Sequence, residues 1–161
     1  VSVGTENLDR VALREEQLEG IGARIVASAP RPVGGLLIGS IEAGELLITR
    51  LLPCPNSAPP EERSLRYEMD PRVVRSVESA LGRGRDRIVG FFETFTGRQD
   101  MGSWAAVLAE VTDRETVVLL TVDPGNAAAP RARRLTGVDG LPRDLAVRLL
   151  PIRGRGFVCP E

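Results

Sequence analysis

The side chains able to do chemistry are few, and several fall in the stretch from Gly90 to Ala106. Glu93 and Asp100 are two carboxyl groups that could serve as a general acid and base, as in a glycosidase. Against that, Asp100 falls in a predicted loop, and surface carboxylates are common. Ser103 offers a hydroxyl, but its position also suits the N-cap of a helix running to about Val111. The chain contains no His, which removes the commonest zinc ligand and the usual neutral-pH base. Cys54 therefore has no imidazole partner, and a Cys–His nucleophile is excluded. Cys54 and Cys159 are far apart and lack metal-type spacing. They read as free thiols in a reducing cytoplasm, although spacing alone does not decide whether they pair.

Composition narrows the remaining classes. The chain has 161 residues, 42% hydrophobic and 27% charged, with a net charge of −1. It can bury a sizeable core as one domain, and it lacks the basic excess expected of a nucleic-acid or anionic-membrane binder. No apolar run approaches the roughly 18 residues of a membrane span, and no secretory leader is visible, so a cytoplasmic location is expected. All 21 basic residues are Arg, which fits a GC-rich genome better than avoidance of lysine modification. The basic runs Arg83-Gly84-Arg85-Asp86-Arg87 and Arg131-Ala132-Arg133-Arg134 read as a helix end and a solvated strand edge.

These groups must be positioned by the surrounding elements. Apolar spacing predicts a helix from Val11 to about Ser28, weakened by Gly20 and Gly22 and stopped by Pro30 and Pro32. Val33–Ile38 and Glu45–Leu52 read as strands, Cys54–Glu62 as a loop, and the alternation of Leu65, Tyr67 and Met69 as a half-exposed strand. Asp70-Pro71 forms an N-cap followed by Pro at the first helical position, and Gly82 ends that helix. Ile88–Phe92 and Val117–Val122 read as buried strands. The segments 124–125 and 127–130 read as loop, with short strands at 131–136, 145–150 and 156–159.

Gly90-Phe91-Phe92-Glu93-Thr94-Phe95, followed by Ser103 and Ala106, resembles the core of the JAB/MPN (JAMM) metalloprotease family. Its signature places two His around a Ser or Thr, followed by a Ser and an Asp. In this frame the His positions fall on Glu93 and Phe95 and the Asp on Ala106, while Thr94 and Ser103 match. Pro30 to Gly39 resembles the family's P-x-E-x-x-G-L-L-x-G segment, with Pro32 where its catalytic Glu stands. Pro55-Asn56-Ser57-Ala58 and Tyr67-Glu68-Met69-Asp70-Pro71 resemble two further junctions. The resemblance covers about residues 10–124, leaving 125–161 as C-terminal strands and loops of a single domain.

That resemblance implies an α/β domain, a mixed curved β-sheet flanked by helices, of the cytidine-deaminase-like type. It implies a degenerate member with no zinc, no catalytic residue and no cofactor, because Phe95 and Ala106 cannot ligate metal and Pro32 cannot carry a proton. The role implied is a scaffold or binding module. Its partner would be a ubiquitin-like or sulfur-carrier protein tail, or a second JAB/MPN domain, which would include a homodimer. Recognition would fall on Phe92, Gly97, Arg98, Gly102 and Trp104, along a sheet edge. The alternatives are a metal-independent hydrolase using Glu93, Asp100 or Ser103, and a small-ligand binder.

Overall fold

The computed structural model describes residues 8–94, 116–136 and 143–151. Within them lie seven strands and two helices. In chain order these are β1 (Arg10–Arg14), α1 (Glu15–Ser28), β2 (Gly34–Glu42), β3 (Glu45–Cys54), α2 (Pro71–Leu81), β4 (Arg87–Thr94), β5 (Thr116–Asp123), β6 (Asn126–Thr136) and β7 (Arg143–Leu150). The strands close a barrel in the order β1-β3-β2-β4-β5-β6-β7. Pairing is parallel for β1 with β3, β1 with β7 and β4 with β5, and antiparallel elsewhere.

Closure overturns the expected α/β sheet flanked by helices. The cause is β1. Val11, Ala12 and Leu13 are all buried, so they show no period-two alternation. In sequence they merge with the helical spacing that follows. In the fold these residues are extended, and β1 bridges β3 on one side and β7 on the other. The sheet has no other way to close. Gln17 sets the helix start after β1, its Oε1 accepting from the Arg14 N–H at 2.9 Å. This is the reciprocal half of a capping box.

The barrel interior is a single apolar cluster to which every strand contributes. It contains Val11, Leu13, Leu37, Leu46, Ile48, Phe92, Val118, Leu120, Ala132 and Leu145, and α1 adds Leu18, Ile21 and Ile25. A second cluster lies on the outer face of β2, β4 and β5. There Leu36, Ile88, Phe91 and Leu119 pack under Tyr67, Met69 and Val74 of α2. Phe91 and Phe92 are adjacent and both buried, one on each face. Each ring removed from water is worth about 2–3 kcal/mol.

Local chemistry explains the remaining boundaries. The β2–β3 hairpin turns at Ala43 and Gly44, with φ of 49° and 76°, between the paired residues Glu42 and Glu45. Two central residues of positive φ make the turn whose twist matches the strands. Asp70 caps α2 by accepting from the Arg72 N–H at 2.9 Å, with Pro71 following it. The expected strand at Leu65–Met69 does not form. Its alternation holds in part, with Tyr67 and Met69 buried and Arg66 and Glu68 exposed, but Leu65 is exposed as well. However, its main chain is held by Asn56, whose Oδ1 accepts from Glu68 N at 3.0 Å and whose Nδ2 donates to Arg66 O at 2.9 Å. The turn expected at 124–125 forms, but the loop expected at 127–130 is strand, because β6 begins at Asn126. The helix expected after Ser103 and the strand expected at 156–159 lie outside the described residues.

Candidate functional site

Two places on the barrel bring chemically capable side chains together. The first is a row across the outer face. Gly34 of β2 pairs with Cys54 of β3 on one side and with Glu93 of β4 on the other. Glu93 in turn pairs with Thr121 of β5. Two residues further along the strands, Leu36, Phe91 and Leu119 lie under α2. Since faces alternate with period two, the row continues that face. Tyr67 covers it: a Cβ on Gly34 would stand 2.5 Å from the Tyr67 Cε1. Gly34 is thus the slot that admits the ring.

Burial disfavours the charged form of each titratable group of this row. The Tyr67 hydroxyl donates to the Cys54 carbonyl at 2.7 Å. Burial, reinforced by the charges that Cys54 and Glu93 would carry, pushes its pKa well above the usual range. The Cys54 thiol donates to the Leu52 carbonyl at 3.4 Å, and burial raises its pKa. Glu93 is only 7% exposed, and burial pushes its carboxyl up to about 7. Next to it, Thr94 works as a clasp. Its Oγ1 accepts from Val33 N at 3.0 Å, and its own N–H donates to Val33 O at 2.9 Å. Pro32, just before, is buried.

The structure thus places Glu93 beside Gly34 at the start of β2, and Thr94 against Val33, next to Pro32. It adds Cys54 and Tyr67, which sequence reasoning had assigned to a loop and an isolated strand. Phe92 faces the barrel interior, so it cannot serve as a contact for a partner on the outer face. Phe95, Gly97, Arg98, Asp100, Gly102, Ser103, Trp104 and Ala106 lie outside the described residues, as does Cys159. Among the described residues, no cluster of His, Cys, Asp and Glu could hold a metal ion. No helix among them is long and apolar enough to cross a membrane.

The second place is a groove of about 410 Å³ between α1 and the far half of β3. Its walls are Glu16, Gln17, Gly20, Ile21 and Arg24 from α1, and Thr49, Arg50, Leu51 and Pro53 from β3. It exists because β1 pairs with β3 only over Glu45–Leu47. Past Ala12, β1 runs only to Arg14, paired with β7, before α1 begins, so among the described residues β3 continues with β2 on one side only. Gln17 marks the edge, its Nε2 donating to the Ile48 carbonyl at 3.4 Å. Gly20 leaves open space where a side chain would stand. A glycine in a helix interior costs about 1 kcal/mol relative to Ala. That cost was the one sequence signal of the groove, and it reads more naturally as mere helix weakening.

Comparison with known proteins gives a fold and no family. No family model matches the chain, and no curated protein does. Among solved structures, the chain is similar to a structural-genomics protein from Desulfitobacterium hafniense determined in solution. The TM-score is 0.66 at 15% identity, covering 91% of this chain and 97% of that one. At that identity the likeness shows the fold alone. The JAB/MPN resemblance does not survive: the described chain is a closed seven-stranded barrel, unlike that family's α/β sheet. The motif fragments reflect ordinary grammar, a Gly-rich buried strand and a capped helix, that many folds share.

Proposed function

We propose that this barrel is a non-catalytic module that binds another protein. One observation carries the reading: among the described residues, the far half of β3 pairs with β2 alone and leaves its other edge open beside a formed groove. Other strands also run past their paired stretches, but this stretch of edge borders a groove with polar walls, and an open edge beside such a groove is a place for recognition. The electrostatics of the outer row argue in the same direction. A nucleophile needs a thiolate or an activated hydroxyl, whereas Cys54 and Tyr67 are both held protonated and donate to main-chain carbonyls. Glu93 has the pKa of a general acid–base, which is the strongest point for a metal-independent hydrolase. Its burial beside the Tyr67-covered row speaks against a substrate reaching it.

The test is capture of partners from the native host. Wild type, a Cys54→Ala/Glu93→Gln variant and an Arg50→Glu variant are compared by mass spectrometry. The expected result is a shared partner for the first two and its loss for the third. Turnover of ester, peptide or glycoside substrates that depends on Glu93 would overturn the reading.

A further inference from the structure

We infer that the groove between α1 and β3 takes an extended, acidic segment of a partner protein, which adds main-chain hydrogen bonds to the open edge of β3 while its carboxylates meet Arg24 and Arg50. The inference rests on the binding-module reading and narrows it to a site and a chemistry.

The main chain comes first. In an antiparallel pair, alternate residues direct their N–H and C=O groups away from the partner strand. Between Thr49 and Pro53 those outward groups meet no strand among the described residues, because β1 ends its pairing opposite Leu47. The Ile48 carbonyl, just before, is taken by the Gln17 side chain. The open stretch is about 17 Å long at strand rise, enough for one extended segment. Pro53 lacks an N–H, so pairing cannot continue past it. The edge is therefore bounded at both ends, by Gln17 and by Pro53.

Charge then selects the occupant. Three charged residues line the groove: Glu16, Arg24 and Arg50. Glu16 lies 3.9 Å from Arg14. The nearby Asp86 carboxylate is occupied by the Thr49 hydroxyl at 3.1 Å. Arg24 and Arg50 are both exposed and form no ion pair with a described residue. One stands on the helical wall and one on the strand wall, so a chain lying between them is approached by guanidinium from both sides. Guanidinium groups match carboxylates through paired N–H donors. A basic segment would meet repulsion from both walls.

The test uses a labelled, end-blocked peptide of alternating Glu and Thr. Its counterpart alternates Lys and Thr, and a third peptide is the acidic one N-methylated at alternate residues. Fluorescence anisotropy at low salt is the readout. The acidic peptide is expected to bind and to weaken as salt rises. The Lys peptide should not bind, and N-methylation should cost tenfold or more. An Arg24→Glu/Arg50→Glu variant should lose the acidic peptide and gain the basic one, at unchanged melting temperature. If that double variant melts early, the single variants Arg24→Gln and Arg50→Gln carry the test, each expected to weaken binding several-fold. Three results would overturn the inference: equal binding of the acidic and basic peptides, indifference to the Arg changes or to N-methylation, or no binding of the acidic peptide at millimolar concentration. If the host partner depends on Arg50 while acidic peptides do not bind, the charge assignment fails and the binding module stands. If no partner depends on Arg50, the module reading itself fails.

Discussion

Tyr67 stands where a side chain on Gly34 would have to go. A Cβ at residue 34 would approach the ring Cε1 to 2.5 Å and Cδ1 to 2.6 Å, closer than real carbon atoms come. The ring cannot yield easily, because its hydroxyl is tied to the Cys54 carbonyl at 2.7 Å. Gly34→Ala should therefore destabilise by about 1–3 kcal/mol, the usual cost of overpacking. Tyr67→Phe keeps the ring and loses the hydroxyl's contacts, chiefly the hydrogen bond to the Cys54 carbonyl, and should cost about 1 kcal/mol. Urea denaturation of the two variants and of their combination checks this. In the combination, freeing the ring should recover part of the Gly34→Ala loss.

Glu93 makes stability depend on pH in an unusual direction. Its folded pKa is raised from 4.5 to about 7 by burial. Between those values the folded state binds more protons than the unfolded one, so stability falls as pH rises. The contribution is fully present below about pH 4.5 and is lost as pH passes through 7. The span corresponds to roughly 3 kcal/mol at most. Glu93→Gln has no charge to bury, so it should be more stable than wild type at alkaline pH by up to about that amount. The two should converge in acid. Unfolding curves across this range test it, and a wild type that gains stability from neutral to alkaline pH through this group would contradict the burial.

The Cys54 thiol should react slowly. Burial raises its pKa, and the thiolate is the reactive form. In a Cys159→Ser background, iodoacetamide labelling of the native protein at neutral pH should be at least tenfold slower than labelling in urea. Native labelling as fast as the unfolded rate would mean that the row under Tyr67 opens freely.

How far the sequence carried the fold depends on where period and burial agree. The capped start at Asp70-Pro71, the stop at Gly82, and the strands over Val33–Ile38, Glu45–Leu52, Ile88–Phe92 and Val117–Val122 all emerged, because their signals are local. β1 did not, since three consecutive buried residues carry no alternation, and barrel closure hung on that one strand. The Leu65–Met69 alternation holds at Tyr67 and Met69 but not at the exposed Leu65, and it does not make a strand: a side-chain amide, Asn56, supplies the partner that a strand would have supplied. At the site, Glu93 stood out through a family frame that the fold then set aside. Its neighbours Cys54 and Tyr67 lie on other elements, and only strand register joins them through Gly34. Arg24 and Arg50 carried no signal at all, because isolated surface Arg residues are common and the groove arises from the length of β1.

The closure of the barrel has an electrostatic clasp at Glu45, whose removal can be measured. Glu45 pairs with Arg10 across the β1–β3 register. Its carboxylate accepts from Arg10 Nε at 2.6 Å and from Arg148 Nη2 of β7 at 2.6 Å. One carboxylate thus joins all three strands of the seam, where both pairings of β1 are parallel. The hydrogen bond from Arg148, followed by that from Arg10, holds its pKa below the usual carboxylate range in spite of some burial. A depressed folded pKa contributes stability above the unfolded value and loses it as pH falls through the folded one. Exposed pairs are usually weak, but a network fixed by strand register loses less side-chain freedom than a lone pair. Glu45→Gln should lower the melting temperature by about 2–4 °C at neutral pH. The gap should narrow in high salt and in acid. The exposed pair of Glu62 with Arg66 (2.7 Å) is the control, since Glu62→Gln lies within one loop, joins no strands and should shift melting by less than about 1 °C. If Glu45→Gln and Glu62→Gln behave alike, the seam is held by its main-chain ladder and interior packing alone.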